Sequence, residues 1–299
     1  MKKYTFITVL FIGICGSLNA QNAATKLVLL GTGTPFADPT KSGPSLAIVV
    51  NNTSYIVDCG PGVVRRAAEA SKLGFPSLEA AQLKILFITH LHSDHTIGLA
   101  DIILTPAVLD RNAPISIYGP IGSKKMTDDL MSAYKEDIAI RINGLEKGDA
   151  IAYQVYTNEI NEGQIYKDSN LTVTAFNVKH GQWDNAFGFV FQTKDKKIVI
   201  SGDCTYSENL IKYAKDCDIL VHEVYSDAGL KKRTQRWQDY HSTFHTSTFQ
   251  LADIANKVKP KLLILNHQLT FGTSLQSLLD ELKSKYTGPV VNGADLDVF

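Results

Sequence analysis

Cysteine is scarce in this chain: there are four in 299 residues. Cys15 lies in the N-terminal apolar stretch, which leaves Cys59, Cys204 and Cys217. An odd number cannot all pair within one chain, so at least one thiol is free or intermolecular and no disulfide framework is present. A core of this size does not need one. Net charge is absent as well, with Lys+Arg and Asp+Glu at 30 each. No global field therefore gathers nucleic acid, although a local basic patch stays open. Low-complexity linkers and internal repeats are also missing. What remains is 44% hydrophobic and 20% charged, a balance that predicts one globular domain over residues 21–299.

The first twenty residues stand apart. Met1-Lys2-Lys3 is basic, Tyr4 to Gly16 is mostly apolar, and Ser17-Leu18-Asn19-Ala20 ends on a small residue. This pattern predicts a signal peptide over residues 1–20, cut after Ala20 to leave Gln21 at the mature end. The apolar run is too short for a comfortable transmembrane helix, so no stable membrane insertion is expected. A lipoprotein at Cys15 is disfavoured by Ile14 before it, and an uncleaved anchor is the remaining alternative. The expected location is periplasmic or secreted.

Lys26–Leu30, Ser45–Val50 and Tyr55–Asp58 read as strands, the last two joined by an Asn51-Asn52-Thr53 turn. Pro61 to Lys72 reads as a helix, Leu83–Thr89 as a strand, and Thr96 to Leu104 as a helix beginning at the site. From Pro106 to Asn170 the pattern is weaker, with a strand at 115–118, a helix at 123–135 and polar connection over Val155–Asn170. Order returns with strands at 171–178, 186–193, 197–201, 219–224, 262–265 and 289–291. Helices are expected at 207–214, 247–258 and 275–285. Strands that later alternate with helices predict an α/β fold of two sheets flanked by helices.

The chemistry is concentrated in His90-Leu91-His92-Ser93-Asp94-His95, directly after an apolar strand. His90 and His92 share one face of an extended segment, and Asp94 and His95 follow where the chain turns. Metals about 3.5–4 Å apart form a hydrolytic device. The bland alternative, a polar turn with scattered histidines, does not explain four ligand-type side chains in six positions. His180, Asp203 and His267 each sit at the end of another apolar run, and His222-Glu223 lies within one. A single such histidine is usually a satisfied core residue; three independent strand ends are harder to credit to chance.

These residues resemble the metallo-β-lactamase superfamily over nearly the whole mature chain. Gly31-Thr32-Gly33-Thr34-Pro35, Asp58-Cys59-Gly60-Pro61-Gly62, Tyr118-Gly119-Pro120, Val221-His222-Glu223 and His245-Thr246-Ser247 are similar to its ribonuclease Z and zinc phosphodiesterase branch. Exported arylsulfatase-like members share these motifs. The resemblance implies a four-layer αββα sandwich, the metallo-β-lactamase fold. It implies two Zn2+ ions, one held by His90, His92 and His180, the other by Asp94, His95 and His267, with Asp203 bridging. It also implies a metal-bound hydroxide that cleaves a phosphodiester or sulfate ester. Asp94 would orient that hydroxide. Glu223 and His245 would donate a proton to the leaving oxygen, with His241 competing with His245 for that position. A structural reading of Glu223, as a buried acceptor holding His245 or His222, stands beside this one.

Three features depart from the family pattern. Cys204 stands where Thr is usual after Asp203, and reads as a small buried residue rather than a ligand. The interval from His180 to Asp203 lacks the long basic arm frequent in tRNA-processing members. Lys231-Lys232-Arg233 and Arg236, beside Trp237, read either as an anion-facing run or as a solvated loop. The expected substrate is therefore a small anionic ester, with nucleic acid not favoured. A homodimer is in keeping with similar proteins. The alternatives are a tRNA 3′-processing endoribonuclease, a β-lactam or lactone hydrolase, an iron-dependent redox protein on the same fold, and a non-catalytic binding module.

Overall fold

Alternation along the first strands decides which way they face. In β1 (Lys26–Gly31), Leu27 and Leu29 point to one side and Val28 and Leu30 to the other, and all four are fully buried. In β2 (Ser45–Val50) all six residues are buried. Such strands need cover on both faces. The computed structural model describes residues Ala24–Phe299; the expected signal peptide and mature N-terminus lie outside the described residues.

β1, β2 and β3 (Thr53–Val57) pair antiparallel, and β4 (Ile85–Phe87), β5 (Ile115–Gly119) and β6 (Val155–Glu159) add in parallel to complete a six-stranded sheet. Asn51 and Asn52, at φ 47° and 60°, make the β2–β3 turn, as a hairpin demands of residues that tolerate the left-handed region. The second sheet holds β7 (Gly163–Lys167), β8 (Leu171–His180), β9 (Trp183–Thr193), β10 (Lys197–Ile200), β11 (Ile219–Tyr225), β12 (Leu262–Leu269) and β13 (Val290–Asn292), lying in that order across the sheet. β7 to β10 are antiparallel; β10 to β13 are parallel.

Leu27, Leu29, Tyr55 and Phe87 of the first sheet meet Phe187, Phe189, Phe191 and Ile264 of the second in one core. Phe87 packs edge-on against Phe189 and Phe191, with ring centroids 5.9 and 5.4 Å away, a favoured aromatic arrangement. Outside the first sheet, Val28, Leu30 and Ile56 pack on Val63 and Ala67 of α1 (Val63–Lys72) and on Leu99, Ile102 and Ile103 of α3 (Leu99–Val108). Between these helices lies α2, one turn over Ser93–Thr96. Beyond β5 come α4 (Ser123–Ala133) and α5 (Lys135–Asn143). Outside the second sheet, Val199, Leu220 and Leu263 pack on α6 (Glu208–Ala214), α9 (Thr248–Val258) and α10 (Leu275–Lys283). Two short helices, α7 (Asp227–Leu230) and α8 (Gln235–Phe244), lie between β11 and α9. The layers run α, β, β, α, as the resemblance implied.

Four expectations need correction. Val155–Asn170 is not only polar connection: it supplies β6 and β7, the edge strands of the two sheets. The strand over Leu83–Thr89 contracts to β4. The helix over Thr96–Leu104 is divided into α2 and α3, so Asp94 and His95 lie within a helical turn. His267 does not follow its strand but lies inside β12.

Candidate metal centre

The parallel strands β3 and β4 end at the same edge as β10, β11 and β12, and antiparallel β8 arrives there at His180. That edge is where open α/β sheets place ligands. Beyond β4 the chain stays extended through His92, which has φ −61° and ψ 147° and precedes the first turn of α2. α2 then carries Asp94 and His95. Close packing fixes its position: a Cβ at Gly98 would lie 2.6 Å from Gly60 O and 2.7 Å from Cys59 O, so only glycine fits there.

His267 reaches the site through a backbone irregularity. Glu223 pairs with Asn266 and Val224 with Gln268, which leaves His267 as the extra residue of a bulge, at φ 46°. A bulge re-aims a side chain in this way. The left-handed backbone of a non-glycine residue costs on the order of 1–3 kcal/mol, a strain found mainly at functional sites.

Two groups of donors result. His92 Nδ1 lies 3.1 Å from His90 Nε2 and 3.0 Å from His180 Nε2. Asp94 Oδ2 lies 3.2 Å from His267 Nε2 and 3.6 Å from His95 Nε2. Asp203 Oδ2 sits between the groups, 3.4 Å from His95 Nε2 and 3.5 Å from His267 Nε2. Ligand atoms of His90, His92 and His180, and separately those of Asp94, His95 and His267, lie within 4.8 Å of one another. Asp203 joins His90 and His95 in one such set and His245 and His267 in another. The seven residues the resemblance assigned to metal are thus brought to one place.

Neighbouring groups fix which nitrogen is bare. His180 Nδ1 lies 2.7 Å from Phe244 O; a carbonyl only accepts, so Nδ1 carries the proton and Nε2 presents a lone pair to the cluster. His95 Nδ1 donates to Asp58 Oδ2 at 2.9 Å. His95 Nε2 is then the ring atom turned to the cluster, buried with no hydrogen-bond partner and facing the Asp94 and Asp203 carboxylates, a position that calls for positive charge, as a proton on the ring or as a metal ion. Such an atom is costly unless something positive occupies the space. Imidazoles and carboxylates in this number suit zinc, so the residues present fit a metal.

The charges are strongly perturbed. Burial opposes ionisation of Asp203, but His267 and His95 outweigh it and hold the carboxyl well below its usual range. Burial would lower His95, yet Asp203 and Asp58 raise it well above its ordinary value. Glu223 moves the other way: burial and the Asp203 charge push its carboxyl well up. Burial lowers His245 to about 4. Glu223 is anchored, its Oε1 accepting from Thr246 N at 2.9 Å and Cys204 N at 3.3 Å. Its Oε2 is unpartnered and 3.5 Å from His245 Nδ1. His245 Nδ1 is also 3.8 Å from Asp203 Oδ2. Glu223 therefore both holds the His245 loop, as the structural reading supposed, and faces the cluster.

His241 lies a turn back on α8, its ring 5.6 Å from that of His245 and outside the ligand groups. His222 turns its Nδ1 to Glu223 O, 2.6 Å away. Cys204 is fully buried in the core beneath α6 and α9 and belongs to no ligand group. Asp58 is the functional residue that sequence reasoning missed as a participant. At φ 59° it accepts from Thr89 N at 2.8 Å and from His95 Nδ1. The Asp58–Gly62 motif was visible, but nothing local ties its carboxylate to a histidine 37 residues later. Trp183 is a second such neighbour, its Nε1 donating to His92 Nε2 at 2.7 Å.

Buried imidazoles and carboxylates gathered at one edge of an αββα sandwich define a metal-dependent hydrolase of ester bonds. The profile of the beta-lactamase superfamily domain matches residues 53–268. Ribonuclease Z of Mycobacterium bovis BCG is 30% identical over 249 residues, covering 81% of this chain and 85% of that protein. Ribonuclease Z of Mycolicibacterium gilvum is 29% identical, over 81% and 83%. The Bacillus subtilis metallo-beta-lactamase fold protein YhfI superposes with a TM-score of 0.72 at 18% identity, over 92% of this chain and 98% of that one. Human tRNase Z, short form, superposes at 0.67 and 22% identity, with the same coverage. The chain belongs to the beta-lactamase superfamily, in its ribonuclease Z branch.

Proposed function

We propose that this protein is a two-zinc phosphodiesterase of ribonuclease Z type, with RNA as its substrate class. The observation that carries the reading is the double ligand group around Asp203 with the Glu223–His245 pair beside it. His90, His92 and His180 would hold one ion and Asp94, His95 and His267 the other, with Asp203 placed to serve both. Such ions would supply Lewis acidity and acidify water to about neutral pKa. Asp94, an acceptor within the cluster, orients the attacking water. Burial keeps the proton on Glu223, and His245 stands between it and Asp203. This pair hands a proton to the leaving oxygen, a contribution of about 10²–10⁴ in rate.

The preference for a small ester over RNA gives way here, because the relatives with substantial identity are ribonucleases Z. One observation keeps the small anionic ester, phosphate or sulfate, as a second reading. Between His180 and Trp183 the chain makes only a two-residue turn, and among the described residues no arm projects between His180 and Asp203. We also propose export: cleavage after Ala20 places the activity outside the cytoplasm, and N-terminal sequencing of the exported protein should read from Gln21.

The test is turnover by zinc-reconstituted protein of a precursor tRNA with a 3′ trailer, bis(p-nitrophenyl) phosphate, an aryl sulfate and a β-lactam. Phosphodiester cleavage abolished by Asp203→Ala is expected. Turnover of the sulfate or lactam alone would overturn the reading.

A further inference from the structure

Helix α8 closes one side of the metal centre and carries a row of aromatic rings toward solvent. Phe244, at its end, stacks over His92 with centroids 6.1 Å apart and 25° between planes. It meets the His180 ring edge-on at 5.0 Å. Tyr240, one turn earlier, stacks on Phe244 at 4.4 Å and 24°. Trp237 follows, edge-on to Tyr240 at 5.6 Å. Spacing of three and four residues puts all three on one helical face. Burial first, then the Asp203 and Asp94 charges, raise the Tyr240 hydroxyl, which places that hydroxyl within electrostatic reach of the cluster.

The outer rings are not core. Trp237 is 39% exposed and Tyr240 37%, whereas Phe244 is 7% exposed. Cations stand at the same outer end. Arg236 lies 5.7 Å over the Trp237 ring, and exposed Lys232 and Arg233 lie just ahead of α8. Lys231 is spent on Asp227 at 2.6 Å, but Lys232, Arg233 and Arg236 make no ion pair among the described residues. The one carboxylate on α8, Asp239, is occupied by Gln235 at 2.7 Å. From Arg236 to Phe244 the helix covers about 12 Å, at 1.5 Å per residue.

We infer that the exposed face of α8 is a single-strand nucleotide platform: Tyr240 and Trp237 stack bases flanking the scissile phosphodiester, and Arg233 and Arg236 take the next phosphates. Flat rings leading out of a hydrolytic centre fit bases, because every base offers a π-face. A lone small ester leaves the distal cations without a partner, whereas a chain of nucleotides supplies a phosphate beyond each base. The inference rests on the phosphodiesterase reading and gives that reading its substrate: a single-stranded end rather than a folded precursor.

Kinetics on a five-nucleotide oligoadenylate, with bis(p-nitrophenyl) phosphate as reference, test it on the zinc-reconstituted protein. Tyr240→Ala should raise KM for the oligonucleotide on the order of tenfold, the scale of one lost base stack, and Tyr240→Phe should restore it. Arg233→Glu with Arg236→Glu should flatten the dependence of log kcat/KM on log salt by about 0.7 per lost phosphate contact. An unchanged salt slope, or a Tyr240→Ala enzyme with wild-type KM, would overturn the platform. If wild type turns over the reference ester while oligonucleotide kinetics ignore both changes, the platform fails and the phosphodiesterase reading stands. If wild type turns over neither ester, that reading fails. The platform is then judged by quenching of Trp237 fluorescence on oligoadenylate binding: loss of the quench in Tyr240→Ala supports it, and no quench in wild type overturns it. Capture by phosphatidylglycerol vesicles through these side chains, with no oligonucleotide effect, would mean a membrane-facing patch and contradict the inference.

Discussion

Asp58 shows how one non-ligand residue sets the chemistry of its neighbours. Its carboxylate accepts from Thr89 N and from His95 Nδ1, so His95 turns Nε2 to the cluster. Partners of this kind are worth about 10–100-fold in metal affinity. Asp58→Ala should therefore weaken zinc binding by that factor, read by competition with a chromogenic chelator, and wild-type affinity would remove Asp58 from the account. Trp183 gives a second prediction. Its indole N–H now donates to His92 Nε2, which places the imidazole proton on Nδ1, between His90 and His180. A metal held at Nδ1 would shift that proton to Nε2, where it would face the indole N–H, donor against donor. Zinc titration should change the Trp183 fluorescence, with Trp183→Phe losing the signal; a flat titration with stoichiometric uptake would contradict this tautomer. The seven candidate ligand positions were legible because each is a His or Asp in a segment that ends or closely follows an apolar run. Asp58 was not, because its partner is distant in sequence and adjacent only through the β3–β4 pairing.

Elements bring these residues together, and some announce themselves better than others. α9 was readable from Ser247, which caps it in a full capping box with Gln250. Ser247→Ala should cost about 1 kcal/mol in urea unfolding, and because His245 lies two residues ahead, activity should fall with it; an unchanged midpoint would contradict the cap's role. β6 and β7 were unreadable because they are edge strands: β6 buries no residue fully and exposes Tyr156, Asn158 and Glu159. Alternation of apolar and polar residues, the signal for a half-buried strand, needs one face packed on a core, and β6 has no fully buried face to supply it. The β12 bulge was equally hidden, since nothing in Leu-Asn-His-Gln marks the extra residue. Beside β7, Asp168 ties the sheets together by accepting from Tyr55 at 2.5 Å and Tyr166 at 2.9 Å. Burial would raise its carboxyl, but hydrogen bonds from Tyr55 and the backbone of Leu171 and Asn170 lower it. A carboxyl lowered on folding adds stability above its unfolded value, near 3.8, and loses it as pH falls through the folded value. Asp168→Asn should thus destabilise at pH 7, with the gap to wild type closing as the medium is acidified below about pH 4. A gap independent of pH would contradict this.

At the scale of the whole molecule, two sheets with different strand orders deliver their C-terminal ends to one edge, and no single segment contains the site. The first sheet brings His90 to His95 on the segment after β4, and the second brings His180, Asp203, Glu223 and His267. The fold class was legible from strands that alternate with helices; the convergence was legible only through the family resemblance, because pairing across the core leaves no mark on local pattern. Metal that binds across both sheets should stabilise the whole by mass action, about 2.7 kcal/mol at a hundredfold excess over Kd, so chelation should lower the melting temperature. Hydrolysis of phosphodiesters by two metals shared through Asp203 is tested by a zinc titration of metal-free protein with bis(p-nitrophenyl) phosphate turnover followed at each addition. Activity should saturate at two ions per chain and be absent in Asp203→Ala. Fully loaded protein that leaves the phosphodiester intact would contradict it.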